Sequence, residues 1–169
     1  MSFTKKEIDK EQPDENIKVT KVLNSLKIQS EALSQAKKIN IVWKVDVEDN
    51  LYIKGSENEF ERAIMNIIKN AFDFSPEAST ITIYSVADNS ELTVKVTDQG
   101  KGFSNKALKY GKEQFFMENE SRSKNGHHGL GLFLANTVIT KYKGELILSN
   151  DKNGGGDVTV KIPVFRKEE

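Results

Sequence analysis

Two glycine-bearing stretches and one helix flank hold the residues whose types and spacing could do chemistry. Val96-Thr97-Asp98-Gln99-Gly100-Lys101-Gly102-Phe103 ends a β-rich run with an acid, then two glycines one residue apart. Glycine lets backbone approach a ligand closely, and a carboxylate accepts hydrogen bonds from an exocyclic amine such as adenine N6. Alone this pattern also fits a plain turn. The second stretch, His128-Gly129-Leu130-Gly131-Leu132, runs directly into an apolar-periodic segment. The free N–H groups and dipole at such a helix start suit phosphates. It is neither a Rossmann fingerprint, since it follows a loop, nor a Walker loop, since no Gly-Lys-Ser/Thr triplet is present. The third set is Asn66, Asn70 and Asp73 in the segment 56–76. At about 100° per residue they share one flank of a helix, at the border of its apolar face. Amides and an acid there need partners, because unpaired burial costs roughly 1–3 kcal/mol per group.

The elements that must carry these groups are legible from periodicity. Ser56 with Glu59 forms a capping box. Phe60, Ala63, Ile64, Ile67, Ile68 and Ala71 then recur at helical spacing as a core stripe, and Ser75-Pro76 stops the helix. A helix is also predicted from Thr20 to about Lys38, and another over Leu130–Lys143 with Leu132, Ala135, Ile139 and Tyr142 as its stripe and Gly144 at C′. Strands are predicted at Asn16–Val19, at Ile41–Val47, and at Leu51–Lys54 returning after an Asp49-Asn50 turn. Thr80–Val86 and Glu91–Val96 form a hairpin, as do Glu145–Ser149 and Asp157–Pro163 around the 153–156 turn. Residues 103–128 lack periodic apolar positions, and a long irregular insert in a compact domain is usually functional or disordered. The fold class is α+β, a two-layer sandwich: a mixed sheet of about five to seven strands covered on one face by three helices. Residues 1–15 are a charged flexible lead or the stub of a preceding helical domain, residues 16–165 the domain, and 166–169 a tail.

Bulk properties exclude several classes. Lys plus Arg is 25 and Asp plus Glu is 25, so no net field draws the 169-residue chain to nucleic acid or acidic lipid. It has no cysteine, which excludes disulfides and thiolate metal sites. No apolar run is long enough to span a bilayer and no signal peptide is visible, so a cytoplasmic chain without membrane contact is expected.

Together the three sets resemble the GHKL nucleotide-binding superfamily, and most closely the catalytic ATP-binding domain of bacterial sensor histidine kinases. Asn66-Ile67-Ile68-Lys69-Asn70-Ala71 resembles the N box, Asp98-Gln99-Gly100-Lys101-Gly102 the first glycine box, and Gly129-Leu130-Gly131-Leu132 the second. Gly155-Gly156 and the Ile162-Pro163 ending resemble the last strand, so the likeness covers nearly everything from Asn16 to Pro163. It implies the Bergerat sandwich, ATP with Mg²⁺ as ligand, and residues 103–128 as an ATP lid. It assigns Asn70 to Mg²⁺, and puts Asn66 where hydrolysing relatives keep a water-activating glutamate. Asp98 becomes the adenine-reading acid, with Gly100 and Gly102 making room for the base. Asp73, Phe74 and Phe103 join that pocket, and His128, Gly129, Leu130, Gly131 and Leu132 form the phosphate turn.

In the lid, Phe115 and Phe116 match family aromatics. The first phenylalanine position holds Lys112, however, and the expected arginine is Met117. Arg122 or Lys124 either supplies that charge or is simply solvated. His127 stands at the usual first glycine of the second box, either a ligand contact or a surface histidine.

The resemblance further implies protein-histidine kinase activity toward a separate dimerisation and phosphoacceptor domain, and a response regulator as indirect partner. A monomer in isolation is expected, with a membrane-anchored parent. Both histidines, His127 and His128, follow the N box, so no phosphoacceptor hairpin is read in this chain. A GHKL-type ATPase or serine kinase is the alternative, as is a degenerate nucleotide-binding interaction module.

Overall fold

The computed structural model describes residues 15–113 and 131–168. Among these residues, two sheets and four helices follow in the order β1 (Glu15–Lys18), α1 (Val19–Lys37), β2 (Asn40–Asp46), β3 (Leu51–Gly55), α2 (Glu57–Asp73), β4 (Thr80–Ala87), β5 (Glu91–Thr97), α3 (Asn105–Tyr110), α4 (Gly131–Lys141), β6 (Glu145–Asn150), β7 (Gly156–Pro163) and β8 (Phe165–Arg166). The main sheet runs β2-β4-β5-β7-β6, with β2 parallel to β4 and every other pair antiparallel. Alternation aims one set of side chains inward: Ile81 and Ile83, then Leu92, Val94 and Val96, then Val158, Val160 and Ile162, all buried. The helices cover that face with Leu23, Leu26, Phe60, Ile64, Ile67, Ile68, Ala135 and Ile139 in one continuous core. On the opposite face Tyr84 and Val86 remain exposed, with the Lys44 and Lys95 ammonium groups over the Tyr84 ring. This is the α+β sandwich expected from the periodicity, with five strands in the main sheet. Among the described residues no helix is long and apolar enough to cross a membrane.

Four local expectations need correction. β3 does not return along β2; it lies between β1 and β8 in a separate three-stranded sheet. Leu51 and Ile53 are buried there, and Ile53 faces Ile17 of β1 across the ladder. β2 is left to pair in parallel with β4, a geometry that requires the long crossover through β3 and α2. The tail begins later than expected, because Phe165–Arg166 pairs with Leu51 and Tyr52. The stretch from 103 is also not irregular at its start. Ser104 caps α3 by accepting from the Ala107 N–H at 3.0 Å, Ala107 is buried, and Lys112 donates to the Leu146 carbonyl at 2.9 Å. One capped turn with a single buried residue is too short to leave a periodic trace. Finally, Gly144 is not the left-handed residue closing α4. Lys143 takes that conformation at φ 65°, and the Gly144 N–H reaches back to the Ile139 carbonyl at 2.8 Å. Glycine is required at 144 because a Cβ there would lie 2.4 Å from the Lys161 carbonyl oxygen of β7.

Candidate functional site

The first wall of the candidate site is built on the step from β5 into its following loop. Asp98 is the first residue past β5 and one of few buried charged groups, 9% exposed. Its Oδ1 accepts from the Gly100 N–H at 2.8 Å and from the Gly156 N–H at 3.0 Å. Its own N–H donates to the Gly156 carbonyl at 3.0 Å. The carboxylate is therefore gripped from both sides at one oxygen, while Oδ2 has no hydrogen bond among the described residues. Burial pushes its pKa above the ordinary carboxylate value; the Gly156 and Gly100 N–H groups oppose this and the Asp157 carboxylate adds to it. A buried acid with one oxygen fixed and one open is suited to accept a hydrogen bond from a ligand amine.

The loop 98–103 keeps its shape because the β6–β7 turn is pressed against it. A Cβ on Gly155 would lie 1.9 Å from the Asp98 carbonyl oxygen, so the two backbones touch. Gly102 adopts φ +81°, and a Cβ there would lie 2.5 Å from the Gly154 carbonyl oxygen. Asn150 holds the next residue by both its faces: its Oδ1 accepts from the Phe103 N–H at 2.7 Å and its Nδ2 donates to the Phe103 carbonyl at 3.0 Å. At the other edge the Gln99 Oε1 accepts from the Thr80 N–H at 2.7 Å, tying the loop to the start of β4. Asn150 and Gln99 were not expected from the sequence. The available signal was an Asn closing a strand just before Asp-Lys-Asn-Gly-Gly-Gly, a typical place for an amide that stands in for backbone.

The second wall is the C-terminal half of α2. Its stripe is buried as expected, and Met65 and Phe72 are buried as well. Asn66, Asn70 and Asp73 are partly exposed along the border of that face. Phe74 caps the helix, and a Cβ on Gly100 would meet its carbonyl oxygen at 2.3 Å, so the end of α2 abuts the Asp98 loop. Gly131 opens α4 beside the backbone of Asn66, where a Cβ would meet only the Asn66 carbonyl oxygen, at 3.9 Å, among the described residues. The structure thus brings Asp98, Gly100 and Phe74 together, and Asn66 next to Gly131. Other expected side chains are engaged elsewhere. Asp73 Oδ1 lies 3.7 Å from the Lys37 ammonium, Phe103 packs on the core, and Leu132 is buried, so only its backbone can face a ligand. Phe115, Phe116, Met117, Arg122, Lys124, His127, His128, Gly129 and Leu130 lie outside the described residues, and most of the expected lid with them.

No group of three or more His, Asp or Glu that could hold a metal occurs among the described residues. A divalent ion here would draw most of its ligands from phosphate and water, with a side-chain amide such as that of Asn70 as protein donor. That suits Mg²⁺, which keeps several waters and needs few protein ligands.

Residues 55–166 match the family described as histidine kinase-, DNA gyrase B-, and HSP90-like ATPase. The sensor histidine kinase SpaK of Bacillus subtilis is 38% identical over 131 residues, covering 76% of this chain and 28% of that protein. The nisin biosynthesis sensor protein NisK of Lactococcus lactis is 32% identical over 165 residues, covering 96% of this chain and 36% of that protein. The chain spans about a third of the length of these two relatives. Among solved structures, a mycobacterial sensor histidine kinase, MprB, superposes with TM-score 0.76 at 21% identity, covering 91% of this chain and 99% of that one. The catalytic domain of the histidine kinase ThkA superposes with TM-score 0.77 at 18% identity, covering 89% and 95%.

Proposed function

The chain belongs to the histidine kinase-, DNA gyrase B- and HSP90-like ATPase family, and from that premise we propose that it transfers the γ-phosphoryl group of Mg-ATP to a histidine on a separate phosphoacceptor domain. The observation that carries this reading is Asp98: buried at a strand end, fixed at Oδ1 by two backbone N–H groups, with Oδ2 open to an exocyclic amine. Adenine offers that amine at N6, whereas guanine presents a carbonyl that a carboxylate repels.

The remaining roles follow from position. Asn70 lies one helical turn past Asn66 and would hold Mg²⁺ against the phosphates. When bound, the ion neutralises developing charge on the transferring group. The backbone at Gly129, Gly131 and the start of α4 would face the phosphates. The acceptor imidazole nitrogen forms a P–N bond as the bond from phosphorus to the β-bridging oxygen breaks, ADP keeping the electron pair. Asn66 shapes the outcome by what it cannot do. An amide does not take a proton from water, so the site favours an acceptor that brings its own nucleophile. The same residue argues against the hydrolytic and serine-kinase alternative.

In the parent protein the acceptor domain would be a dimerising helical hairpin, and a response regulator would receive the phosphoryl group from it. The catalytic domain itself would be monomeric and cytoplasmic on a membrane-anchored parent. The test is γ-labelled ATP with the chain and a separate acceptor hairpin from the same parent, followed by acid and alkali treatment. Acid-labile, alkali-stable label on the acceptor and none on the chain is expected. It will form slowly, because an untethered acceptor lacks the roughly mM effective concentration of a short linker. Acid-stable label, or strong self-labelling, would contradict the proposal.

A further inference from the structure

At the far end of α2 and α4 from Asn66 and Gly131 sits a polar cluster that touches no ligand in the reading above. The Tyr142 hydroxyl, just past α4, accepts from the Ser56 N–H at 2.8 Å and donates to the Glu59 carboxylate. Glu59 also pairs with the Lys141 ammonium at 3.1 Å. The capping box at the start of α2 is thereby split. Ser56 Oγ accepts from the Glu59 N–H at 3.4 Å, but the reciprocal half, Glu59 to the Ser56 N–H, is relayed through Tyr142. The tyrosine ring lies flat over Gly55, where a Cβ would sit 2.5 Å from Cζ. Gly55 is a glycine because this ring occupies its side-chain space.

We propose that the Ser56–Glu59–Tyr142–Lys141 clamp is a positioning device that sets the phosphate end of the nucleotide site from a distance, by fixing how α4 lies along α2. It rests on the reading of this site as an ATP site.

The two helices run antiparallel, with Tyr142 against Ser56 at one end and Gly131 against Asn66 at the other. Between those ends α4 presents Leu132, Ala135 and Ile139 to the core. Packing of such side chains sets the crossing of two helices only to within about 15–20°. Hydrogen bonds weaken steeply with misalignment, so the clamp narrows the register within that range. Tyr142 lies eleven positions beyond Gly131, about 16 Å along the helix, so a small tilt at the clamp moves the far end further. Glu59 remains ionised at neutral pH: burial opposes its charge, but the Tyr142 hydroxyl and the Lys141 ammonium hold the carboxyl below its ordinary value. The base end abuts the end of α2 but, among the described residues, makes no contact with α4 through the groups that hold Asp98. Asp98 is gripped by Gly100 and Gly156, which belong to neither helix.

The prediction is therefore a split between two ligands. Tyr142→Phe keeps the ring over Gly55 and deletes only the hydroxyl. It should weaken binding of a non-hydrolysable ATP analogue with Mg²⁺ about tenfold, the equivalent of one hydrogen bond, while adenosine affinity changes less than about twofold. Glu59→Gln, which keeps an acceptor for Tyr142 but loses the ion pair, should show the same split in smaller degree. Calorimetric titrations of both ligands with wild type and both variants, each first checked for cooperative melting, decide it. Parallel loss of both ligands would mean that the clamp only stabilises the fold. Unchanged affinity for both would mean that it does not position α4. A wild type that binds neither ligand would remove the ATP site itself and this proposal with it, an outcome distinct from the other two.

Discussion

At the base end of the candidate site, backbone grips backbone: Asp98 exchanges hydrogen bonds with Gly156, Gly155 leaves no room for a side chain, and Asn150 pins Phe103 at two atoms. At the proposed phosphate end no comparable grip occurs among the described residues. Asn66 and Asn70 ride on one helix and Gly131 on another, and the directional contacts between those helices lie at their opposite ends. If Asp98 reads the base as proposed, its pocket is held by backbone contacts of its own, and the proposed phosphate side depends on how two helices lie together. Such an arrangement would suit the proposed function, in which adenine is held tightly while the phosphoryl-bearing end adjusts to a second protein.

The comparison breaks most completely at Gly155. A Cβ 1.9 Å from the Asp98 carbonyl must push β7 off the loop. Gly155→Ala should lose roughly 2–3 kcal/mol of stability in denaturant titration and bind neither ATP analogue nor adenosine. Adenosine affinity equal to wild type would remove the β6–β7 turn from the base pocket. Asn70→Ala should act at the other end alone. Phosphotransfer to the acceptor hairpin falls by roughly a hundredfold or more while adenosine binding is kept, because the ion acts on phosphates and not on the base. Equal losses in both assays would argue that Asn70 is structural.

Acid titration sharpens the contrast through two carboxyls that shift in opposite directions. Asp98 has a folded pKa raised above its ordinary 3.8, so the folded chain binds its proton more readily than the unfolded chain does. Its charge therefore costs stability at neutral pH, and that cost is relieved as pH falls through the folded value. Glu59 is lowered from its ordinary 4.5, so its contribution is present above that value and is lost as pH falls through the folded one. Chemical denaturation of Glu59→Gln against wild type should show a deficit at neutral pH that closes in acid. A deficit that widened in acid would contradict the assignment. The smallest effect is expected far from both ends. The Ser85 hydroxyl is fully buried without a partner among the described residues, so Ser85→Ala should stabilise the chain by about 0.5–1 kcal/mol and leave both ligands' affinities unchanged.

The sequence made the two ends legible to different degrees, for physical reasons. The stripe of α2, its Ser56 cap and the alternation of β4, β5 and β7 are local periodicities, and all appear where expected. Asp98 could be picked out because an acid before Gly-x-Gly is itself a local pattern. What could not be read was anything that depends on distant partners. β3 leaves β2 for β1 and β8, Asn150 reaches Phe103 across 47 residues, and Tyr142 completes a cap 86 residues upstream. Glycines were legible as such, yet their reasons were not. Gly55, Gly144 and Gly155 are each required by a neighbour's atoms rather than by a turn.

The central claim is that Asp98 reads an adenine amine through Oδ2 while Oδ1 holds the loop. Asp98→Asn tests it most directly, since the amide oxygen can keep the bonds from Gly100 and Gly156 while its nitrogen presents a donor where the carboxylate offered an acceptor. The measurement is calorimetric titration of wild type and Asp98→Asn with non-hydrolysable ATP and GTP analogues plus Mg²⁺. Wild type should prefer the ATP analogue strongly. The variant, folded and at least as stable at neutral pH, should lose ten- to roughly a hundredfold in ATP affinity. Equal affinity of wild type for the two analogues, or a folded variant that binds ATP as wild type does, would contradict the account.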